Sequence, residues 1–228
     1  MAEPGDLGAT RAGYDAIAEG YAKLFRAELA DAPLDRALLA AFAEIVHREH
    51  GDAEVLEVGS GPGTVAAHLD HLGLAVRGID LSPAMVGLAR RAHPTITFEV
   101  GEMGDLDVPG AALAGVVAWY SLIHVPQPRR AAVLREFRRA LRPSGHVLLA
   151  FQVGDDTLHL EQAFGHEIAL DFHRLRADDV VALLHGAGFE VTARLEKAPE
   201  GGTAATRVPQ GFVMARKPGP GDGHGPPA

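Results

Sequence analysis

Cysteine is absent from this chain of 228 residues. That excludes a disulfide scaffold, a thiolate metal site and a cysteine nucleophile. No apolar run reaches the roughly 18–20 residues needed to span a bilayer. Met1 to Asp6 show no basic stretch leading into an apolar one, so no secretory signal is read and a cytoplasmic location is expected. Positive charge is in deficit, with a formal net charge of −9. An acidic surface argues against a nucleic-acid partner, which needs clustered Lys and Arg. The densest basic group, Arg129, Arg130, Arg135, Arg138, Arg139 and Arg142, reads as the solvated face of one helix broken by Glu136. Neither a nucleic acid nor a membrane is expected as a partner.

What the chain does have is a glycine-rich turn in the right place. Val55-Leu56-Glu57-Val58 has strand character and runs into Gly59-Ser60-Gly61-Pro62-Gly63. Glycine lets backbone approach a ligand where a Cβ would block it. A second apolar strand, Val76-Arg77-Gly78-Ile79, ends on Asp80. An acid at the tip of the next strand suits the two hydroxyls of a ribose. Together these features point to an adenosine-containing cofactor.

The rest of the chain alternates short apolar strands with helices. Strands are expected at 54–58, 75–79, 96–100, 115–119, 146–151, 189–195 and 211–216. Helices are expected at 11–29, from Asp31 through Val46, and at 64–72, 83–92, 127–141 and 177–187. Such alternation predicts an α/β fold with a parallel sheet and helices on both faces. The last two strands have no helix between them, so one of them runs antiparallel. Residues 1–10 are expected to be disordered, as is the Pro/Gly-rich tail 218–228. One domain, 11–217, lies between them.

Three segments carry a resemblance to a known family. They are Glu57-Val58-Gly59-Ser60-Gly61-Pro62-Gly63, Gly78-Ile79-Asp80-Leu81-Ser82-Pro83-Ala84-Met85, and Leu141-Arg142-Pro143-Ser144-Gly145-His146-Val147. In order and spacing they resemble class I S-adenosylmethionine-dependent methyltransferases of the small-molecule type, over roughly Tyr14 to Lys217. The resemblance implies a Rossmann-like, doubly wound, mostly parallel seven-stranded sheet. It also implies an N-terminal helical lid (11–50) and a substrate cap (152–176). S-adenosyl-L-methionine is the implied cofactor and S-adenosyl-L-homocysteine its product.

The resemblance also implies residue roles. Glu57, Gly59, Ser60, Gly61 and Gly63 line the methionine part of the cofactor. Asp80 takes both ribose hydroxyls, Leu81 packs on the adenine and Met85 belongs to the cofactor site, while Trp119 and Met103 either pack around the adenine or are ordinary core. Glu102 meets the adenine amino group from a position where the family more often has Asp. Tyr120 and Ser121, after strand four, form the rim between cofactor and acceptor. Tyr14 and Tyr21, seven apart on one side of the first helix, cover the cofactor. Glu57 suits a sulfonium cation better than a phosphate, and the third glycine falls one position early for a nicotinamide-binding turn.

Methyl transfer needs alignment, exclusion of water and, for some acceptors, removal of a proton. His124 is the first candidate for a general base, because it follows strand four at the edge where open α/β sheets place ligands. The plainer reading is a rim histidine that shapes the pocket. His173 is a second candidate, for contact with the acceptor or for proton abstraction. His159, His166 and His173 are spaced by seven and would share a face if their segment were one helix. The favoured reading of that segment is a mixed polar face, with no metal expected. The expected activity is methyl transfer to a small organic acceptor at O, N or C, by a monomer or homodimer. Two alternatives remain. One is a protein of the same fold that uses the cofactor to aid a cyclisation or rearrangement. The other is an adenosine-nucleotide sensor or nicotinamide oxidoreductase.

Overall fold

A computed structural model describes residues 5–25, 28–200, 207–219 and 221. Three helices open the chain: α1 (Gly5–Phe25), α2 (Glu28–Asp31) and α3 (Pro33–His50). Then follow β1 (Val55–Val58), α4 (Thr64–His71), β2 (Val76–Asp80), α5 (Pro83–Ala92), β3 (Thr97–Val100) and β4 (Leu113–Trp119). A 3-10 turn (Leu122–His124) leads to α6 (Gln127–Ala140), β5 (Leu141–Gln152), β6 (Thr157–Ala163) and β7 (His166–His173). The chain ends with α7 (Ala177–Gly186), β8 (Glu190–Lys197) and β9 (Gln210–Arg216).

Seven strands form one sheet in the order β3-β2-β1-β4-β5-β9-β8. Pairings from β3 to β5 are parallel, while β9 is antiparallel to both β5 and β8. Successive residues face opposite helical layers, as the pleat requires. Val55, Val117, Leu148 and Met214 pack with Leu39 and Phe42 of α3. Leu56, Val116, Leu149 and Val213 pack on the other face with Leu134 and Phe137 of α6 and Leu184 of α7. The strand order reverses at β1, between β2 and β4. Loops leaving β1 and β4 therefore diverge and open a crevice at the carboxyl edge.

Local chemistry explains the elements that frame the crevice. Pro83 occupies the first turn of α5, where its missing N–H costs nothing. Ser82 caps the same helix by accepting the Met85 N–H at 3.1 Å. Gly188, at φ +84°, lets the chain leave α7 in a left-handed conformation beside Arg138.

The structure corrects three sequence expectations. The first helix begins at Gly5, so residues 5–10 are helical, and Leu7 and Thr10 help wall the crevice. Residues 1–4 lie outside the described residues, as do 220 and 222–228 of the expected tail. Residues 157–173 form an antiparallel hairpin, closed by Phe164 and Gly165 at φ +51° and +82°. Those left-handed residues turn the chain after seven residues, so a continuous helix is impossible. His159 pairs opposite Asp171, His173 opposite Thr157, and His166 beside the tip, so the three histidines do not share one site. The arginines of this group form a solvated face only in part: Arg135 and Arg139 are exposed, yet several reach backbone carbonyls. Arg130 donates to the Val125 carbonyl, and Arg139 to the Leu106 and Val108 carbonyls. Arg138 and Arg142 reach Gly188 and Ala112. The loops around α6 present carbonyls without sheet partners, and the five N–H groups of a guanidinium satisfy them.

No helix among the described residues is long and apolar enough to cross a membrane. Phe42 is fully buried between α3 and the sheet, its ring tip against Gly115. Phe42→Ala should destabilise the protein by about 3–5 kcal/mol in urea denaturation. A loss below about 1 kcal/mol would mean that α3 does not seal this face.

Candidate functional site

The crevice opens into a cavity walled by α1, the tips of β1 and β2 and the loop after β4. Its floor is the glycine turn after β1. Gly59 and Gly61 have φ of +69° and +51°, and a Cβ on Gly61 would meet nothing within 4 Å. A Cβ on Gly59 would collide with the Ser121 side chain, whose Oγ–H donates to the Val58 carbonyl at 2.7 Å. The first glycine is thus needed for packing between the β1 and β4 loops. The second leaves a bare stretch of backbone facing open space.

Asp80 stands beside this turn at the tip of β2. Its Oδ2 accepts the Gly61 N–H at 2.7 Å and its Oδ1 the Ser82 N–H at 2.8 Å. Burial pushes the carboxyl up, and the two amides and nearby Asp15 act in opposite senses. Asp15 reaches down from α1. Its Oδ1 accepts Ser82 Oγ–H at 2.5 Å and the Ala84 N–H at 3.1 Å. A carboxylate there meets the unsatisfied amides at the start of α5.

The roof is α1. Gly13 packs on Leu170 of β7 and Gly20 on the Phe164 ring. The next residues, Tyr14 and Tyr21, turn toward the cavity and meet edge to face at 5.7 Å. Tyr14 touches His124 through a 2.7 Å bond to Nε2, while Nδ1 lies 2.9 Å from the Asp171 carbonyl. A carbonyl only accepts, so Nδ1 carries the hydrogen and Nε2 accepts the Tyr14 hydroxyl. Burial lowers the His124 pKa to about 4, and it raises that of Tyr14. Both groups are neutral at pH 7.

Leu81, Met85, Met103, Trp119 and Tyr120 add apolar wall. Tyr120 sits at φ +53°, a strained conformation for a non-glycine residue. Glu102 is on the wall too, but it is ion-paired with Arg129.

Residues 55–145 match the family model described as a methyltransferase domain. Those residues form the core of a class I methyltransferase domain. A probable S-adenosylmethionine-dependent methyltransferase from Mycolicibacterium smegmatis is 28% identical over 67% of this chain and 63% of its own length. The chain spans between 55% and 63% of the first curated relatives it matches. Among solved structures, the Burkholderia thailandensis 1,6-didemethyltoxoflavin-N1-methyltransferase, bound to 1,6-didemethyltoxoflavin and S-adenosylhomocysteine, has a TM-score of 0.67. Its identity is 19%, over 96% of this chain and 92% of that one. The cyclase SpnF has a TM-score of 0.59 at 18% identity, over 79% of this chain and 82% of its own.

Within this methyltransferase domain, twelve of the residues expected from sequence meet on the cavity wall: Tyr14, Tyr21, Gly59, Gly61, Asp80, Leu81, Met85, Glu102, Met103, Tyr120, Ser121 and His124. Four expected residues are not on it. Gly63 precedes α4 as its N-terminal cap, and a Cβ there would collide with Phe98. Ser60 and Glu57 are buried behind the turn, with Ser60 Oγ and Glu57 Oε2 lacking partners. Burial pushes the Glu57 carboxyl well above the usual range, and an Ala66 backbone bond opposes it. His173 lies at the end of β7, its Nδ1 2.9 Å from Thr157 Oγ1. Arg129 and Asp15 are the residues that sequence reasoning passed over. Asp15 carries a signal in its place next to Tyr14. A neighbour one step round the helix faces about 100° away, toward α5 rather than the cavity.

The His124 shift has a measurable consequence. The unfolded chain protonates this histidine below about pH 6.5, whereas the folded chain does so only below about 4. Stability from this site is complete above the unfolded value and drains as the pH falls toward the folded one. The loss should reach up to about 3 kcal/mol. Urea midpoints measured across that window should fall in the wild type and fall less in His124→Gln. Equal slopes would show that His124 is not buried as a neutral ring.

Proposed function

We propose that this chain binds S-adenosyl-L-methionine in the cavity and transfers its methyl group to a small organic acceptor. The observation that carries this reading is Asp80, fixed by two backbone amides at the tip of β2 and facing the same cavity as the neutral Tyr14–His124 pair. The residues present fit the cofactor. Gly61 leaves bare backbone with open space before it, and each Asp80 oxygen has a further lone pair for a ribose hydroxyl. Leu81, Met85 and Met103 would enclose the adenine, and Tyr21 would cover the cofactor from α1. Glu102 is held by Arg129, so any contact with the adenine amino group would come from a carboxylate already paired. Glu57 would act from behind the turn by its position rather than by contact.

When bound, the cofactor supplies a methyl group already activated by a positive sulfur. The chain's own tasks are to orient the acceptor, exclude water and accept a proton. Tyr14 donates to His124, which leaves its phenol oxygen free to accept a hydrogen from the acceptor. A proton entering there passes the phenol hydrogen on to Nε2, and the Nδ1–H stays on the Asp171 carbonyl. A base as weak as His124 serves an acceptor whose proton becomes strongly acidic as the new bond forms. The wall is mostly apolar with a few convergent polar groups, Asp80, Tyr14 and His124, as small-molecule sites are, which supports a small acceptor. The small acceptor bound in the toxoflavin-type neighbour supports the same class. A cytoplasmic location and a monomer or homodimer belong to the same proposal.

Calorimetry with S-adenosylhomocysteine tests the cofactor. Asp80→Ala should weaken binding about 10–100-fold, the worth of a charge-assisted bond. Preference for NADH, or unchanged affinity in that variant, would overturn the reading. The base is tested by turnover over a panel of phenols, enols and amines. Tyr14→Phe should lower kcat about 100-fold or more while S-adenosylhomocysteine binding stays within about threefold.

A second reading has one observation behind it, the shared fold with the cyclase SpnF. It keeps the cofactor bound but untransformed. Release of S-adenosylhomocysteine in step with product separates the two, since a cyclisation releases none.

A further inference from the structure

At the amino-terminal edge of the sheet, remote from the cavity, the last turn of α3 meets the start of β5. Glu49 and His50 come from the helix and His146 from the strand. A donor atom of each lies within 4.8 Å of the other two. His146 is 3% exposed; its Nε2–H donates to Glu49 Oε2 at 3.0 Å, and its Nδ1 has no partner. His50 donates Nε2–H to the Ser144 carbonyl at 3.1 Å, so the lone pair it can offer is on Nδ1.

We propose that Glu49, His50 and His146 bind a divalent cation of the zinc class, with water completing the coordination. Two imidazoles and a carboxylate are the donors such ions prefer. The negative end of the α3 dipole lies at this turn and favours a cation. The backbone carbonyl on His50 fixes its tautomer, as the outer partner of a metal-bound histidine does. Arg48 lies 3.5 Å from Glu49 Oε1 and is largely exposed, so Oε2 is the oxygen that faces His146, and the ion would replace the hydrogen between Oε2 and Nε2 while the ring keeps its hydrogen on Nδ1. Bound there, the ion would clamp α3 to β5 and take no part in methyl transfer.

The test uses the full chain without a histidine tag, stripped with EDTA and freed of chelator, and titrated with Co²⁺. One equivalent should bind, producing ligand-field absorption in the visible. The melting temperature should rise by roughly 5 °C or more at a hundredfold excess of free ion over its Kd. Glu49→Gln and His50→Ala, both reachable from solvent, should each cut affinity at least tenfold and leave S-adenosylhomocysteine binding unchanged. The double variant His68→Ala/His71→Ala should bind Co²⁺ as the wild type does. Absence of saturable binding at millimolar Co²⁺ would overturn the proposal. So would unchanged affinity in His50→Ala, or loss of binding in the His68/His71 variant.

Discussion

The mouth of the cavity depends on the Asp80 carboxylate. One oxygen holds the glycine turn after β1 and the other holds the entry to α5, so one side chain ties two loops. Parallel register makes this possible: Val58 pairs with Ile79, and both the Gly59 and Ser60 N–H groups donate to the Ile79 carbonyl. The turn must then bend sharply to bring the Gly61 amide onto Asp80, which takes left-handed conformations at Gly59, Gly61 and Gly63. A side chain at Gly61 would meet no steric obstacle, but it would strain the backbone and occupy the cavity floor. Conformation and open access thus select glycine at one position for two separate reasons.

A second tie closes the cavity from above. His124 follows β4, Tyr14 belongs to α1 and Asp171 to β7, and two hydrogen bonds on one imidazole join all three. Glycine again permits the approach. Gly13 and Gly20 let α1 lie against the β6–β7 hairpin, and Tyr14 and Tyr21 stand one residue further round. Asp15, one step beyond Tyr14, anchors the same turn of α1 to α5. Three consecutive residues, Gly13, Tyr14 and Asp15, therefore meet the hairpin, the cavity and the sheet-side helix. Movement of α1 would break contacts on all three.

Periodicity and turn chemistry made most of this fold legible in the sequence. The helix at Pro83–Ala92 has the bounds its proline and serine predict, and the seven strands appear in the expected places. The β6–β7 hairpin was not legible. Leu158, Leu160, Ile168 and Leu170 alternate weakly among charged residues, and the closing turn at Phe164-Gly165 lacks the usual Asn-Gly or Asp-Gly signal. The arginines in and beside α6 were misread in part, for a different reason. A helical face with many charges looks solvated in one dimension, and only the folded loops reveal the carbonyls that those guanidiniums satisfy. Within the site, residues on the turn and strand tips were legible because their conformation demands a residue type. Arg129 was not, because its role arises from a neighbour 27 positions away in sequence.

The electrostatics of the cavity narrow the kind of ligand it favours. Asp15 raises the pKa of Asp80, and Asp80 raises that of Glu57; Tyr14 and Tyr21 feel Asp80 as well. Each anion thus disfavours the next, and burial adds to the penalty. The wall cation, Arg129, is committed to Glu102, and Arg11 stands 3.9 Å from Asp15 on the outer, exposed side. A pyrophosphate would enter against this field. A ligand with positive sulfur and an ammonium group would relieve it, and the relief is larger because the surroundings are apolar. The same carboxylates that disfavour one another then contribute to affinity for a cation. A nucleotide site built on a glycine turn gains from the opposite arrangement, with free amides and cations facing the phosphates. The sign of the buried charge, more than the glycines themselves, separates these two uses of one fold.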